Sequence, residues 1–198
     1  MSTDQLRSNK GFSFRGEELL DMRMSPETAV TAADLLNVLF KKELEQLFTN
    51  YADIDYANRL ANAIIRFRRV RPVQTAADLR EIIATVVPEG NRSSSARLPE
   101  ARVFQALRIA VNDEFGALKD FLQAAYGHLK DDGVLAVITF HSGEDRVVKQ
   151  FIKTHKPETA LFRPDTDEQA SNPQSRSAKL RIIIKKRITA HEHQEINN

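Results

Sequence analysis

Residues 134–140 read Val-Leu-Ala-Val-Ile-Thr-Phe, a continuous apolar run rich in β-branched side chains, and no other segment restricts the fold as much. A short run without alternation suits a strand buried on both faces, as in a parallel sheet. Lys130-Asp131-Asp132-Gly133 supplies a turn before it, and polar residues His141 to Asp145 stand at its C-terminal end. A helix follows, with Val147, Val148, Phe151 and Ile152 at inward-facing spacing. Leu180 to Ile188 forms a second clear strand, and Ala160 to Arg163 suits a short strand paired with it. The C-terminal third thus resembles the second half of a doubly wound α/β sheet. Ligands in such sheets sit outside the carboxyl ends of the strands, which places His141 to Arg146 at the functional edge. Two or three strands make a poor sheet, with exposed edges and an uncovered face. The sequence holds no Gly-rich strand-to-helix turn, so the missing half of the expected sheet is the N-terminal one.

Upstream the pattern is helical. Ser25-Pro26-Glu27 reads as a helix start, a capping-type serine before a first-turn proline and an acid. Leu35, Leu36, Leu39 and Phe40 share one face, and Leu44, Leu47 and Phe48 belong to another short helix. Tyr56 to Phe67 places Leu60, Ala61, Ile64 and Ile65 at helical spacing. Thr75-Ala76-Ala77-Asp78 opens a further helix that Pro88 ends. Residues 89–96, with Gly, Asn and three serines, read as a flexible loop. From Pro99 to Leu129 the periodicity gives two helices or one bent helix. Residues 156–175 are polar and carry three prolines, and the tail from Thr189 reads as disordered.

The 198 residues carry 29 basic and 27 acidic side chains, so the net charge says little, but its distribution says more. Arg59 to Arg71 holds five arginines and no acid, and Arg176 to Arg187 holds six basic residues and no acid. Arg92, Arg97, Arg102 and Arg108 form a third, looser group. Clusters of this kind serve phosphate-backbone binding; one run alone more often coats a solvated helix face, and three runs in one small chain bring the two readings level. There is no cysteine, which excludes disulfides, thiolate metal sites and cysteine nucleophiles. No run approaches the ~18 apolar residues of a membrane span, and the polar start from Met1 to Lys10 does not read as a secretory signal. A cytoplasmic protein without membrane attachment is the expectation. Ser142 beside His141 makes no nucleophile elbow, and His191 and His193 lie in a polar tail, so neither a hydrolase nor a metal site is expected.

Five stretches, in order, carry a family resemblance. They are Gly11-Phe-Ser-Phe14 with Leu20-Asp-Met-Arg-Met24, Ala32 to Asn37, Pro99 to Asn112, Ile138 to Lys149, and Asn172 to Arg181. Together they resemble the bacterial 16S rRNA cytosine-N4 methyltransferase family over nearly all of residues 1–188. The resemblance implies an α/β fold: the C-terminal part of a class I (Rossmann-like) methyltransferase sheet with an inserted all-helical domain. It divides the chain into a remnant that follows the family's fourth strand (1–26), a helical insertion for RNA recognition (27–96), the C-terminal half of the methyltransferase domain (97–188) and a tail (189–198). Residues 1–6 are similar to a stretch internal to the family, so Met1 reads as an internal methionine and the chain as N-terminally truncated.

The implied reaction moves a methyl group from S-adenosylmethionine to the N4 amine of a cytidine in the decoding region of 16S rRNA. That amine is a weak nucleophile, so catalysis rests on positioning and electrostatics, with the base unstacked. His141, Ser142, Glu144 and Asp145 are the candidate catalytic residues. Ser142 as a helix cap, with Glu144 and Asp145 at the helix dipole, is the competing structural reading. Of the family's cofactor contacts, only the glutamine equivalent to Gln5 survives. Arg59, Arg66, Arg68, Arg69, Arg102, Arg146, Arg176 and Lys179 are the candidate RNA contacts. Phe12 and Phe14 suit base stacking or, more often for paired phenylalanines, a core. Asn172-Pro173 lacks the proline and aromatic that follow in amino-methyltransferases, and a basic RNA-contact loop is the better reading. The implied partner is 16S rRNA or the 30S subunit, and the resemblance also admits a homodimer. The alternative is a non-catalytic RNA-binding fragment or truncated gene product.

Overall fold

A computed structural model of the protein describes residues 10–87 and 98–186. Gln5, Pro88, the 89–96 loop with Arg92, then Arg97, Arg187 and the 189–198 tail lie outside those residues. The chain divides into two compact units, with the division after Glu114.

The first unit is helical. Helix α1 (Ala32–Val38) is followed by α2 (Lys41–Leu47), which runs into a π-helical turn over Phe48–Ala52. Then come α3 (Ala57–Arg68), α4 (Ala76–Val86) and α5 (Pro99–Asn112). Two of these helices start on the same device. Thr31 Oγ1 accepts from Asp34 N while Asp34 accepts from Thr31 N, and Thr75 and Asp78 repeat the arrangement. The expected start at Ser25-Pro26-Glu27 is therefore corrected. That segment is a turn, closed by Thr28 N donating to Ser25 O and Glu27 N to Ser25 Oγ. Thr31, six residues on, has the acid three positions later that satisfies both cap donors.

Leu36, Leu44, Phe48, Leu60, Ile64, Leu79, Ile83 and Leu107 build one core. Phe12, Leu20 and Met22 of the N-terminal segment join it, as do Val103, Phe104 and Val111 of α5. These segments share one core within the unit that ends at Glu114. Phe40 does not join the core face expected of it and is 76% exposed. It lies past the end of α1, where Glu43 accepts its backbone N–H to start α2.

The second unit is a three-stranded sheet with helices. Helix α6 (Glu114–His128) leads to β1 (Val134–Thr139), α7 (Ser142–His155), β2 (Glu158–Phe162), the short α8 (Thr166–Ser171), a 3₁₀ turn at Pro173–Ser177 and β3 (Lys179–Ile184). Asp113, in the left-handed conformation, separates α5 from α6, so the expected pair of helices is found. The strand order is β1-β3-β2, and β3 runs antiparallel to both neighbours. The short strand expected around Ala160 does pair with the last one.

The parallel, doubly buried reading of residues 134–140 is corrected. In β1, Val137 and Thr139 are buried while Val134, Ala136 and Ile138 are exposed. Opposed residues in an antiparallel ladder share a face. Val137 and Leu135 therefore lie with Arg181 and Ile183, and Ile183, Val137, Leu122, Val148 and Phe151 make the second core. Val134, Ala136 and Ile138 lie with Ile184, Ile182 and Leu180 on the opposite face. The run is apolar on both faces although α7 covers only one.

Candidate functional site

The strand-end residues are organised by the start of α7. His141, extended at φ −142°, is the N-cap, and its Nδ1 accepts from Glu144 N at 3.3 Å. Glu144 Oε2 in return accepts from Phe140 N at 2.7 Å and His141 N at 3.2 Å. The cap is thus His141, not the expected Ser142, which is exposed. With Nδ1 accepting, the ring proton is on Nε2. Nε2 lies 3.1 Å from Glu144 Oε1 but is not aligned for a hydrogen bond. Burial pushes the Glu144 carboxyl up, yet the His141 ring and the two backbone N–H groups outweigh it, and the carboxyl sits below its ordinary value. The His141 ring also packs against Phe115 at 5.9 Å between centroids. Thr139 Oγ1, Ser175 Oγ and His141 Nε2 are buried with no hydrogen-bond partner among the described residues.

Asp145 is engaged more fully. It is 3% exposed. Its Oδ1 accepts from Arg181 Nε at 3.0 Å and Nη2 at 2.8 Å, and its Oδ2 from Lys179 Nζ at 2.8 Å. Lys149 Nζ, one turn along α7, is 3.5 Å away. Burial raises the carboxyl pKa, but hydrogen bonds and charge from Lys179 and Arg181 prevail and bring it down to about 2. Register explains the cluster: Lys179 faces Thr139 and Arg181 faces Val137 across the ladder, on the face that α7 covers. Both carboxylate oxygens are therefore committed, and Asp145 is not an available acceptor for a substrate amine. Lys179, one of the expected RNA contacts, is paired with Asp145.

The expected RNA contacts separate in the same way. Arg68 Nη1 donates to Leu36 O and Leu39 O, both at 2.8 Å, which ties α3 to the end of α1. Arg102 donates to Ala52 O at 3.0 Å and to Asp53 O, closing the exposed C-terminal carbonyls of the π turn. Both guanidinium groups are thus engaged by backbone carbonyls. Arg59, Arg66 and Arg69 are exposed, with no acidic partner among the described residues. Arg59 and Arg66 are seven residues apart on α3, hence on one face and about 10 Å apart along the axis. Arg71, beside them in sequence, is paired with Asp78 and Glu81 and stacked on Phe67. In the second unit Arg146 and Arg176 are exposed.

A cleft of about 430 Å³ in the first unit is lined by Phe12 and Phe14, the pair that suits base stacking or a core. The Gly11–Arg15 loop and α5 form it. Phe12 is buried in its floor, and half-buried Phe14 meets Phe104 edge to face at 6.2 Å. Gly11 has φ +71°, and a Cβ there would run into the Leu19 carbonyl, so the loop requires glycine. Arg80 fixes the loop by donating to Phe14 O at 2.9 Å and to Gly16 O.

Among the described residues no group of His, Cys, Asp and Glu could hold a metal ion, and no helix is long and apolar enough to cross a membrane. Neither is there a glycine cradle at the strand end. Gly143, in the first turn of α7, has the Phe115 ring where a Cβ would stand, so that position makes room for a side chain.

Comparison with known proteins defines the class first. A protein named ribosomal RNA small subunit methyltransferase H from Persephonella marina is 39% identical over 193 residues, covering 92% of this chain and 64% of that protein. Proteins of the same name from Gloeothece citriformis and Borreliella afzelii are 41% and 40% identical, covering 94% and 90% of this chain and 62% of each relative. The chain's relatives are thus methyltransferases, and the chain spans a little under two thirds of their length. The model of the MraW methylase family matches residues 1–186, and the chain belongs to that family.

Proposed function

We propose that this chain serves S-adenosylmethionine-dependent methylation of the N4 amine of a cytidine in the decoding region of 16S rRNA, and that its described residues supply RNA recognition. The observation that carries the reading is the family match over residues 1–186, joined to exposed arginines that lack acidic partners among the described residues. A class I methyltransferase fold goes with it, as does 16S rRNA or the 30S subunit as partner.

Each named residue then takes a definite part. Arg59, Arg66 and Arg69 on the helical unit, and Arg146 and Arg176 on the sheet unit, contact phosphates. Ser142, exposed at the first turn of α7, presents its hydroxyl at the strand end. His141 and Glu144 position that turn, holding the loop between β1 and α7 in one conformation. Asp145 locks α7 to β3. S-adenosylmethionine brings an electrophilic methyl group on a sulfonium. The described residues do not fit it, because the turn that could cradle it is filled by Phe115. Gln5 remains the one cofactor contact the resemblance assigns, and it lies outside the described residues. That mismatch favours a second reading, in which this chain alone is a non-catalytic RNA-binding module.

The test uses unmodified 16S rRNA synthesised in vitro, labelled methyl donor, and the chain with or without the part of a relative that it does not match. Nucleoside analysis should show N4-methylcytidine only in the supplemented reaction. Calorimetry of the chain alone with S-adenosylmethionine should show no heat at millimolar ligand. Methylation at another atom, or none after supplementation, would remove the proposal. Binding by the chain alone would remove the mismatch.

A further inference from the structure

We infer that the cleft between the Gly11–Arg15 loop and α5 receives an unstacked nucleobase of the bound RNA strand, with Phe14 as the stacking platform. The inference rests on the RNA-binding reading above and assigns it a subsite. Phe14 is the only one of the three phenylalanines in the cleft that remains half-exposed; Phe12 and Phe104 are buried behind it. A flat aromatic face backed by a rigid core is what base stacking needs, and such stacking tolerates any base.

Charge sorts the occupant. Arg108, in the cleft wall, is neutralised by Glu114 through bonds of 2.6 and 2.9 Å. The interior is therefore aromatic and near neutral, with the Gln105 amide as a polar lining group. Arg15 is exposed, with no acidic partner among the described residues, and its guanidinium lies over the Phe14 ring at 5.9 Å from the centroid, so a base entering the cleft displaces it toward the rim. A neutral planar base inside and a phosphate at the rim match this arrangement. The volume of about 430 Å³ is of ligand size. A second hollow of about 370 Å³ shares Phe14 and Arg15 and is lined further by Arg80, Leu98 and Glu100; it lacks Phe12 and Phe104, and that aromatic backing makes the first cleft the base site.

The chain has no tryptophan, so Phe14→Trp creates a single reporter. Its emission is followed while a short single-stranded oligoribonucleotide is added, and anisotropy of a labelled copy reports binding independently. Phe121→Trp, exposed on the other unit, is the control. We expect the indole of the Phe14→Trp variant to be quenched over the same RNA range as the anisotropy change, and that of the Phe121→Trp variant to keep its emission. Phe14→Ala should weaken binding on the order of 5- to 150-fold, and Phe14→Tyr should keep it within about twofold. Binding by anisotropy with unchanged emission and unchanged Phe14→Ala affinity would overturn the cleft assignment alone. No binding to any RNA would overturn it together with the RNA reading. Quenching by adenosine as readily as by the strand would overturn the strand as the source of the base. If the Phe14 variants lose their helical circular dichroism, 4-thiouridine crosslinking of the unaltered chain decides: adducts on the peptide holding Phe12 to Arg15 support the site, and adducts only elsewhere overturn it.

Discussion

Asp145→Asn removes the one carboxylate that neutralises Lys179 and Arg181 inside the second unit, and its effect can be bounded in two ways. A carboxyl held at about 2 against an ordinary 3.8 contributes about 2.5 kcal/mol at neutral pH. Removing one partner of a buried ion pair costs about 3–5 kcal/mol. The Arg181 side chain is 12% exposed and that of Lys179 30%, so the lysine can rehydrate and the lower part of the range applies. We expect a loss of about 2–4 kcal/mol. The sign with pH follows from the depressed value. The stabilisation is complete above 3.8 and is lost as pH falls through about 2. Hydrogen exchange of the β1 and β3 amides is the suitable assay, because it reports on this unit alone. In the unaltered chain their protection should fall across that acid range, and in Asp145→Asn it should be low at neutral pH and lack that acid step. Protection within about 0.5 kcal/mol of the parent, or an acid step that persists in the variant, would refute the reasoning.

Further outcomes follow from the same contacts. Gly11→Ala should destabilise by about 1–3 kcal/mol in urea denaturation, since the position combines φ +71° with a carbonyl where the Cβ would stand. Thr75→Ala should cost about 1 kcal/mol by the same measurement, as the loss of the α4 cap. Arg102→Ala should lower the thermal midpoint and leave the salt dependence of RNA binding unchanged, because its guanidinium is spent on Ala52 and Asp53 carbonyls.

Much of the helical unit was legible because its signals are local. Thr75-x-x-Asp78 marks a helix start within four residues, and the structure begins α4 there. Ser25-Pro26-Glu27 has a helix-start composition too, but Thr31-Ala-Ala-Asp34 repeats Thr75-Ala-Ala-Asp78 residue for residue and is the local signal that the structure follows. The run at 134–140 announced a strand through its β-branched side chains. Its partners could not be read from it, since apolar content alone does not tell a covered face from an open one. The strand-end site was legible only as a location. The His141 cap is local but lacks the usual Ser, Thr, Asp or Asn that would mark it, and the hold on Asp145 by residues 34 and 36 positions later depends on the β1–β3 register. The arginines show the same limit. Arg66 and Arg68 are alike in sequence, yet one is exposed and the other reaches carbonyls 29 and 32 residues away.

On the proposed function, RNA recognition rests on the exposed arginines and not on the paired ones. Filter binding of 16S rRNA across a salt series tests this directly, comparing the unaltered chain with a variant carrying Arg59→Ala, Arg66→Ala and Arg69→Ala. The unaltered chain should lose affinity linearly in log–log form, and the variant's slope should be shallower by about 2–3. A weak response that is flat in salt, or a variant slope equal to the parent's, would contradict it.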